Sequence, residues 1–361
     1  MRAGPGQVLA GRYRLTDRPG PLRAVAVDER TGEPVLLRAL ELPALLTNGH
    51  EFEDEIPAQA DRLVRRVAAV GSAAPTWHPR LLRGFGAFVE GELLWTVEER
   101  PAGVPLAELA AAGPVPPYRA AELAADLAGA LRALHEAGLS HGNLTAESVL
   151  VCEDGAAMLG GLLSGAAEEA LAEDLGGPGG RRRYDVRATL VGPVAERWPL
   201  DGGPAGDCWA LGVLLQRLLT GRSPFPEGDV PELVTAVRDA RHEPSAVCGP
   251  LAPLVERLVQ PDPVLRPTAE AVRRELAALL VGAPEPADEE RAGRELVVRP
   301  DGPLVPLVPR RRGRGERVER AARPGAERPP RVPPALLGPL LVGGVFLLLV
   351  LGVTAVVLFA G

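Results

Sequence analysis

The chain has 361 residues, 24% of them charged, a formal net charge of −7, and 46% hydrophobic but only 4% aromatic content. That length can bury a sizeable core, built mainly of Leu, Val and Ala. All 40 of its Lys+Arg residues are arginine, which excludes a Schiff base, a P-loop and any other phosphate-pairing lysine. Arginine does not deprotonate, and its planar fork replaces a compact ammonium poorly.

The first hundred residues read as short strands with turn punctuation: Arg12–Leu15, Ala24–Asp28 and Val35–Leu40, the last two joined by a Glu29–Gly32 turn. Glu51–Val70 has helical spacing. Leu81–Val89 and Glu92–Glu98 form a further strand pair around Glu90-Gly91. Helical patterns then take over at Pro117–Ala137, Ala205–Thr220, Val230–Ala240, Leu251–Val259 and Ala269–Leu280. Strands followed by helices predict an α+β, two-lobed domain, with lobes at residues 1–110 and 111–282.

Residues 283–334 are rich in Pro, Arg, Glu and Gly and read as a linker. Residues 335–361 carry no charge, and Leu340–Phe359 is a stretch of twenty residues, fifteen of them Leu, Val or Phe. As a helix it would span about 30 Å, the thickness of a bilayer core. Its apolar residues contribute roughly −4.5 to −9 kcal/mol to insertion. A single C-terminal transmembrane helix is predicted. Between Arg310 and Arg331 nine arginines face three glutamates, a local net of +6. Positive-inside orientation then puts the N-terminal domain in the cytoplasm, with this flank on anionic lipid headgroups. With two residues after Phe359 and no apolar run at the N-terminus, insertion is expected after synthesis ends.

Other classes find little support. The cysteines Cys152, Cys208 and Cys248 form no C-x-x-C pair, and the five histidines lack metal-ligand spacing. Scattered cysteines fit buried apolar positions in a reducing compartment. The acidic balance, with no basic stripe interleaved with aromatics before residue 290, argues against nucleic acid.

Four segments carry a family resemblance. Arg12-Tyr13-Arg14-Leu15 opens like a first kinase strand. Leu131–Val151, LRALHEAGLSHGNLTAESVLV, is similar to the helix and catalytic loop. Asp207–Phe225, DCWALGVLLQRLLTGRSPF, resembles the central helix of the C-lobe, and Pro261–Val272, PDPVLRPTAEAV, the closing arginine motif. In this order and spacing they resemble the bacterial eukaryotic-type serine/threonine protein kinases over about residues 10–282. H-G-N-L also resembles the H-G-D-L of small-molecule phosphotransferases, but the D-x-W-x-L-G helix and downstream R-P-T favour protein kinases.

The resemblance implies a machinery that this chain lacks. Kinase catalysis is mostly positioning and charge neutralisation by a lysine, a glycine-rich cover, a catalytic Asp, and an Asn and Asp on Mg²⁺. The V-A-I-K lysine corresponds to Arg38, and only Gly20 is left of the glycine-rich loop. In the catalytic loop Asn143 replaces the aspartate base, Thr145 the lysine and Ser148 the metal-binding asparagine. An amide is no base near neutral pH. D-F-G falls on Gly161-Leu162-Leu163, so the magnesium carboxylate is absent. Leu36 stands where an alanine meets adenine, and Glu98 sits near the gatekeeper position, filling the pocket and repelling phosphate. Nothing in the spacing recruits Asp126, Asp154 or Asp174 as replacements.

What the resemblance keeps is structural. Glu196 corresponds to the A-P-E glutamate and Arg266 to its arginine partner. Asp207 corresponds to the acid that holds the catalytic-loop backbone, and His141 keeps its packing position. Asn143 has no inferred structural partner, and Thr189 resembles the substrate-side threonine. The chain reads as a membrane-anchored pseudokinase, a scaffold or regulator of cytoplasmic or membrane signalling proteins, with no cofactor, metal or nucleic acid. The alternative is an atypical serine/threonine kinase using ATP and Mg²⁺ through unconventional residues.

Overall fold

Alternation shapes the N-terminal lobe. In the strand Arg23–Asp28 every second residue, Ala24, Ala26 and Asp28, is buried, and in Pro34–Glu41 the run Val35, Leu36, Leu37 is buried on both faces. The structure, a computed structural model, describes residues 4–16, 23–42, 55–75, 77–177 and 181–283. They belong to one compact unit.

Strands β1 (Val8–Leu9), β2 (Tyr13–Leu15), β3 (Arg23–Asp28), β4 (Pro34–Glu41), β5 (Gly84–Glu90) and β6 (Leu93–Glu99) form an antiparallel sheet in the order β1-β2-β3-β4-β6-β5. The Glu29–Gly32 turn closes through Gly32 N donating to the Asp28 carbonyl, with Gly32 at φ +77°. Arg12 clamps the same corner through two hydrogen bonds to Asp28, which hold that carboxyl down at about 2. Helix α1 (Glu55–Ala73) packs on β5.

The second lobe is helical. After β7 (Gly103–Pro105) and α2 (Leu106–Ala111), α3 (Pro117–Glu136) runs through the core. Strands β8 (Val149–Cys152) and β9 (Ala157–Leu159) join β7 in a small sheet. Then come α4 (Leu162–Gly176), α5 (Arg181–Val191), α6 (Gly203–Thr220), α7 (Val230–Arg238), α8 (Ala252–Leu258) and α9 (Ala269–Val281). Helix α6 is buried almost all round, with α3 and α8 against it. Gly212 lets α8 approach, because a Cβ there would lie 2.6 Å from Leu258 Cβ.

The predicted α+β class holds, and each predicted strand and helix has its counterpart within a few residues. Helix α7 stops short of Ala240 because that residue takes φ +52°, outside helical space. Helices α4 and α5 were not predicted. Apolar Leu and Ala residues lie on several faces of α4, and it is bracketed by Gly160-Gly161 and Gly176-Gly177, so no periodic stripe marks it. Cys208 and Cys248 are buried, which pushes their thiols up to about 12 and about 11, while Cys152 is half-buried.

Among the described residues no helix is long and apolar enough to cross a membrane. The predicted membrane segment Leu340–Phe359, the linker from residue 284 onward, the basic flank Arg310–Arg331 and Gly20 all lie outside the described residues.

Candidate functional site

Strand periodicity aims four side chains from the sheet at the second lobe. Leu36 and Arg38 are two residues apart on β4, and their cross-strand partners on β6 are Glu98 and Thr96. Arg38 Nε donates to Glu98 Oε1 at 2.6 Å, and the Gly161 N–H donates to Glu98 Oε2, also at 2.6 Å. Arg38 Nη2 reaches the Glu147 carbonyl at 3.2 Å, and the Thr96 and Ser164 hydroxyls meet at 2.9 Å. Glu98 is 5% exposed and Leu36 is buried beside it. The space between β4, β6 and Gly161 is therefore filled by an ion pair and a leucine.

The loop facing this pair is held from below. Asp207 accepts from the backbone N–H groups of His141 and Gly142, both at 2.8 Å, and contacts His135 Nε2 at 2.9 Å. His141 Nδ1 accepts from Asn143 N, so its Nε2–H donates to the Gly160 carbonyl at 3.0 Å. Burial pushes this imidazole down to about 4, against the opposing pull of Asp207.

Asn143 is a structural bridge, contrary to the expectation that it has no partner. Its Nδ2 donates to the Gly161 carbonyl at 2.9 Å, and its Oδ1 accepts from Arg197 Nη1 at 2.6 Å. An amide can do both, whereas a carboxylate at that position has no proton to offer the carbonyl. Ser148 is equally committed. Its hydroxyl donates to the Thr145 carbonyl and accepts from the Thr145 N–H, each at 3.0 Å, closing the turn that holds both residues.

Gly161 stands at φ +80° as the N-cap of α4. A Cβ there would lie 2.9 Å from Asn143 Nδ2 and 3.3 Å from Ser148 Cβ, so this position is glycine for both backbone and space. Leu163 then inserts between α1 and β5, where Gly71 and Gly84 leave room for it. The residues present do not fit a magnesium nucleotide. The carboxylate beside Gly161 is Glu98, and both its oxygens are engaged. No group of three His, Cys, Asp or Glu side chains that could hold a metal occurs among the described residues. Asp126, Asp154 and Asp174 lie elsewhere: Asp126 accepts from Arg80 and the Ala157 N–H, Asp154 from the Ala156 N–H, and Asp174 from Arg66.

The Glu196–Arg266 pair does not form. Buried Glu196 is held by Arg217 of α6, with Nε to Oε1 at 2.6 Å and Nη2 to Oε2 at 3.0 Å. Arg266 instead donates to the carbonyls of Gln260, Pro261 and Ala205. Arg217 also takes Glu227, and against the opposing effect of burial the two carboxylates together push its guanidinium well above its ordinary value. The sequence reading missed Arg217, although it is the one charged residue in the apolar run Cys208–Leu219. It also missed Arg197, which gives no comparable local signal. Thr189 bonds its own helix at Asp185.

The protein kinase domain family matches residues 54–276, more than half of the chain. The chain belongs to that family. It is 30% identical over 297 residues to the serine/threonine-protein kinase PkaA of Streptomyces coelicolor, covering 81% of this chain and 51% of PkaA. It is 31% identical over 234 residues to the serine/threonine-protein kinase AfsK of Streptomyces griseus, covering 63% and 26%. With CBL-interacting protein kinase 4 of Oryza sativa subsp. japonica it shares 27% over 309 residues, covering 78% and 63%. These matches place it with the bacterial eukaryotic-type serine/threonine kinases. The chain spans about half the length of PkaA and a quarter of AfsK.

Two outcomes follow for this kinase-family domain. Arg217→Ala strands Glu196 in a buried site and should cost about 3–5 kcal/mol of unfolding free energy in urea titrations. Arg266→Ala, which strands no charge, should cost less. Glu196→Gln should recover much of the Arg217→Ala loss, and a simple sum of the two effects would show that they are not coupled. The second outcome concerns acid. The folded His141 titrates at about 4, below the unfolded value of about 6.5, so below that pH the unfolded chain takes up a proton that the folded one refuses. Stability should fall as pH drops from about 6.5 to 4, by up to about 3 kcal/mol from this residue. In His141→Asn the melting temperature should vary less across this window.

Proposed function

We propose that this protein is a pseudokinase, a non-catalytic scaffold or regulator tethered to the membrane by its C-terminal segment. The observation that carries this reading is the buried Arg38–Glu98 pair closed onto the Gly161 N–H. It occupies the ground where a nucleotide would lie and commits the arginine that stands for the phosphate-pairing lysine. Three further features support it: Leu36 over the adenine position, Asn143 used as a bridge, and a glycine whose geometry refuses an aspartate. The partners fitting this reading are cytoplasmic or membrane signalling proteins, engaged by a scaffold whose Asp207 and Glu196 networks are intact. The alternative is an atypical phosphotransferase that would need Glu98 released from Arg38.

The nucleotide test uses both the natural chain and Arg38→Lys/Asn143→Asp/Ser148→Asn/Gly161→Asp. Millimolar ATP with Mg²⁺ should leave the melting temperature of the natural chain unchanged, because only a ligand that binds the native state raises it. The fourfold variant should melt lower and show no robust autophosphorylation, since a side chain at 161 sits on left-handed backbone and crowds the side chains at 143 and 148. A magnesium-dependent rise of several degrees in the natural chain would favour the phosphotransferase. So would efficient autophosphorylation by the variant.

The membrane part of the proposal rests on Leu340–Phe359 and the arginines before it. Deleting Leu336–Gly361 should release the protein from membranes, and Arg-to-Glu changes across 310–331 should weaken its targeting. An N-terminal epitope should be protected in intact cells and digested in inverted vesicles. Digestion from the outside of intact cells would reverse the orientation.

A further inference from the structure

One cavity among the described residues is larger than the cleft in front of Arg38 and Asn143. The cleft space in front of Arg38 and Asn143 is about 440 Å³, whereas a cavity of about 760 Å³ lies on the other side of the catalytic loop, between α4, α5 and the start of α6. That size is typical of a small-molecule site, as is a largely apolar lining crossed by a few polar groups. Tyr184 and Trp198 form one wall, their rings 5.6 Å apart, and Leu190 adjoins them.

The polar side of the cavity carries a cluster of arginines that share their carboxylates. Arg183, Arg187 and Arg197 share Glu168 and Glu169: Arg197 pairs with Glu168, and both Arg183 and Arg187 with Glu169. Arg183 also reaches Glu173 at 3.4 Å, a carboxylate it shares with Arg66, which pairs with Asp174 as well. The other lining acids are engaged elsewhere, Glu196 by Arg217 and Asp207 by the catalytic-loop backbone. Arg197 is 8% exposed, and its Nε has no hydrogen-bond partner among the described residues. A buried guanidinium N–H without an acceptor is an unmet demand for an oxygen.

A second feature points the same way. Helix α6, 18 residues long, starts at this cavity through Gly202, Gly203 and Gly206, and no side chain caps it. Gly202 and Gly203 have open space where a Cβ would stand, and the positive end of the helix dipole favours negative charge there. The Arg187 guanidinium is held below its ordinary value, by burial first and then by Arg197 and Arg183. A bound anion would relieve that repulsion.

We propose that this cavity is a binding site for a small organic anion, with a phosphate or carboxylate head between the arginines and the start of α6 and an apolar body against Tyr184, Trp198 and Leu190. The site lies across the catalytic loop from the nucleotide cleft, with Arg197 and Glu168 on the wall between them, and does not depend on whether the chain catalyses phosphoryl transfer. Because α4 and α5 form one side of it, an occupant would brace these helices against α6 and stabilise the fold by mass action.

The experiment measures melting temperature and Trp fluorescence of the detergent-solubilised full chain with phenyl phosphate, inorganic phosphate or phenol at matched ionic strength. Phenyl phosphate near saturation should raise the melting temperature by about 2–4 °C, inorganic phosphate by less, and phenol not at all. Arg187→Gln and Arg183→Gln, two independent variants in case one folds poorly, should each lose at least half of the shift. Arg38→Gln/Glu98→Gln, which removes both charges of the cleft pair together, should keep it. Absence of a shift in the natural chain would overturn the proposal, as would an undiminished shift in both arginine variants. Equal shifts with inorganic and phenyl phosphate would reduce the site to an adventitious ion only. Loss of the shift in a folded Arg38→Gln/Glu98→Gln variant would move binding to the nucleotide cleft and refute a site across the loop.

Discussion

A carboxylate buried at the back of the interlobe cleft sets the terms for the rest of this molecule. Glu98 is almost wholly removed from water, and a carboxylate in that position persists only with a cation and hydrogen-bond donors on its oxygens. Arg38 supplies the first and the Gly161 N–H the second. Bringing that N–H to the carboxylate requires the left-handed turn at Gly161. From there the chain enters α4 at Leu162, and Leu163 falls into the gap left by Gly71 and Gly84. One ion pair is thus continuous with the path of the segment that follows it.

The same logic explains why the catalytic-loop substitutions form a set. With Gly161 turned this way its carbonyl needs a donor, and Asn143 provides one while accepting from Arg197. An aspartate would present oxygen to oxygen. Ser148 spends its hydroxyl within the turn it belongs to. Both side chains thus support backbone and neighbouring side chains, above the Asp207 network that holds the start of the same loop. In a chain without lysine, the charged anchors are arginines. Their forked geometry lets Arg217 hold two carboxylates and Arg197 join a carboxylate to an amide.

The α+β kinase-like architecture was legible in the sequence because its signals are local. Period-two alternation marks β3 and β4, helical spacing marks α3 and α9, and the catalytic-loop and R-P-T segments keep their order along the chain. The absence of lysine is legible by inspection and needs no fold at all. Helix α4 was not legible, since its apolar residues are spread over several faces and glycines at both ends read as loop.

What only the tertiary structure decided is which charge meets which. Glu98 and Arg38 are 60 residues apart in the chain, Arg197 and Asn143 are 54, and Arg217 and Glu196 are 21. The sequence placed an arginine and a glutamate in the cleft by resemblance, but whether they pair depends on the register of β4 against β6 and on the approach of Gly161 from the other lobe. It also pointed Glu196 at Arg266, where the fold chose Arg217. Several carboxylates and guanidiniums lie within reach of one another at such a site. The choice among them is made by burial, which penalises any charge left without a partner, and burial exists only once the lobes have packed.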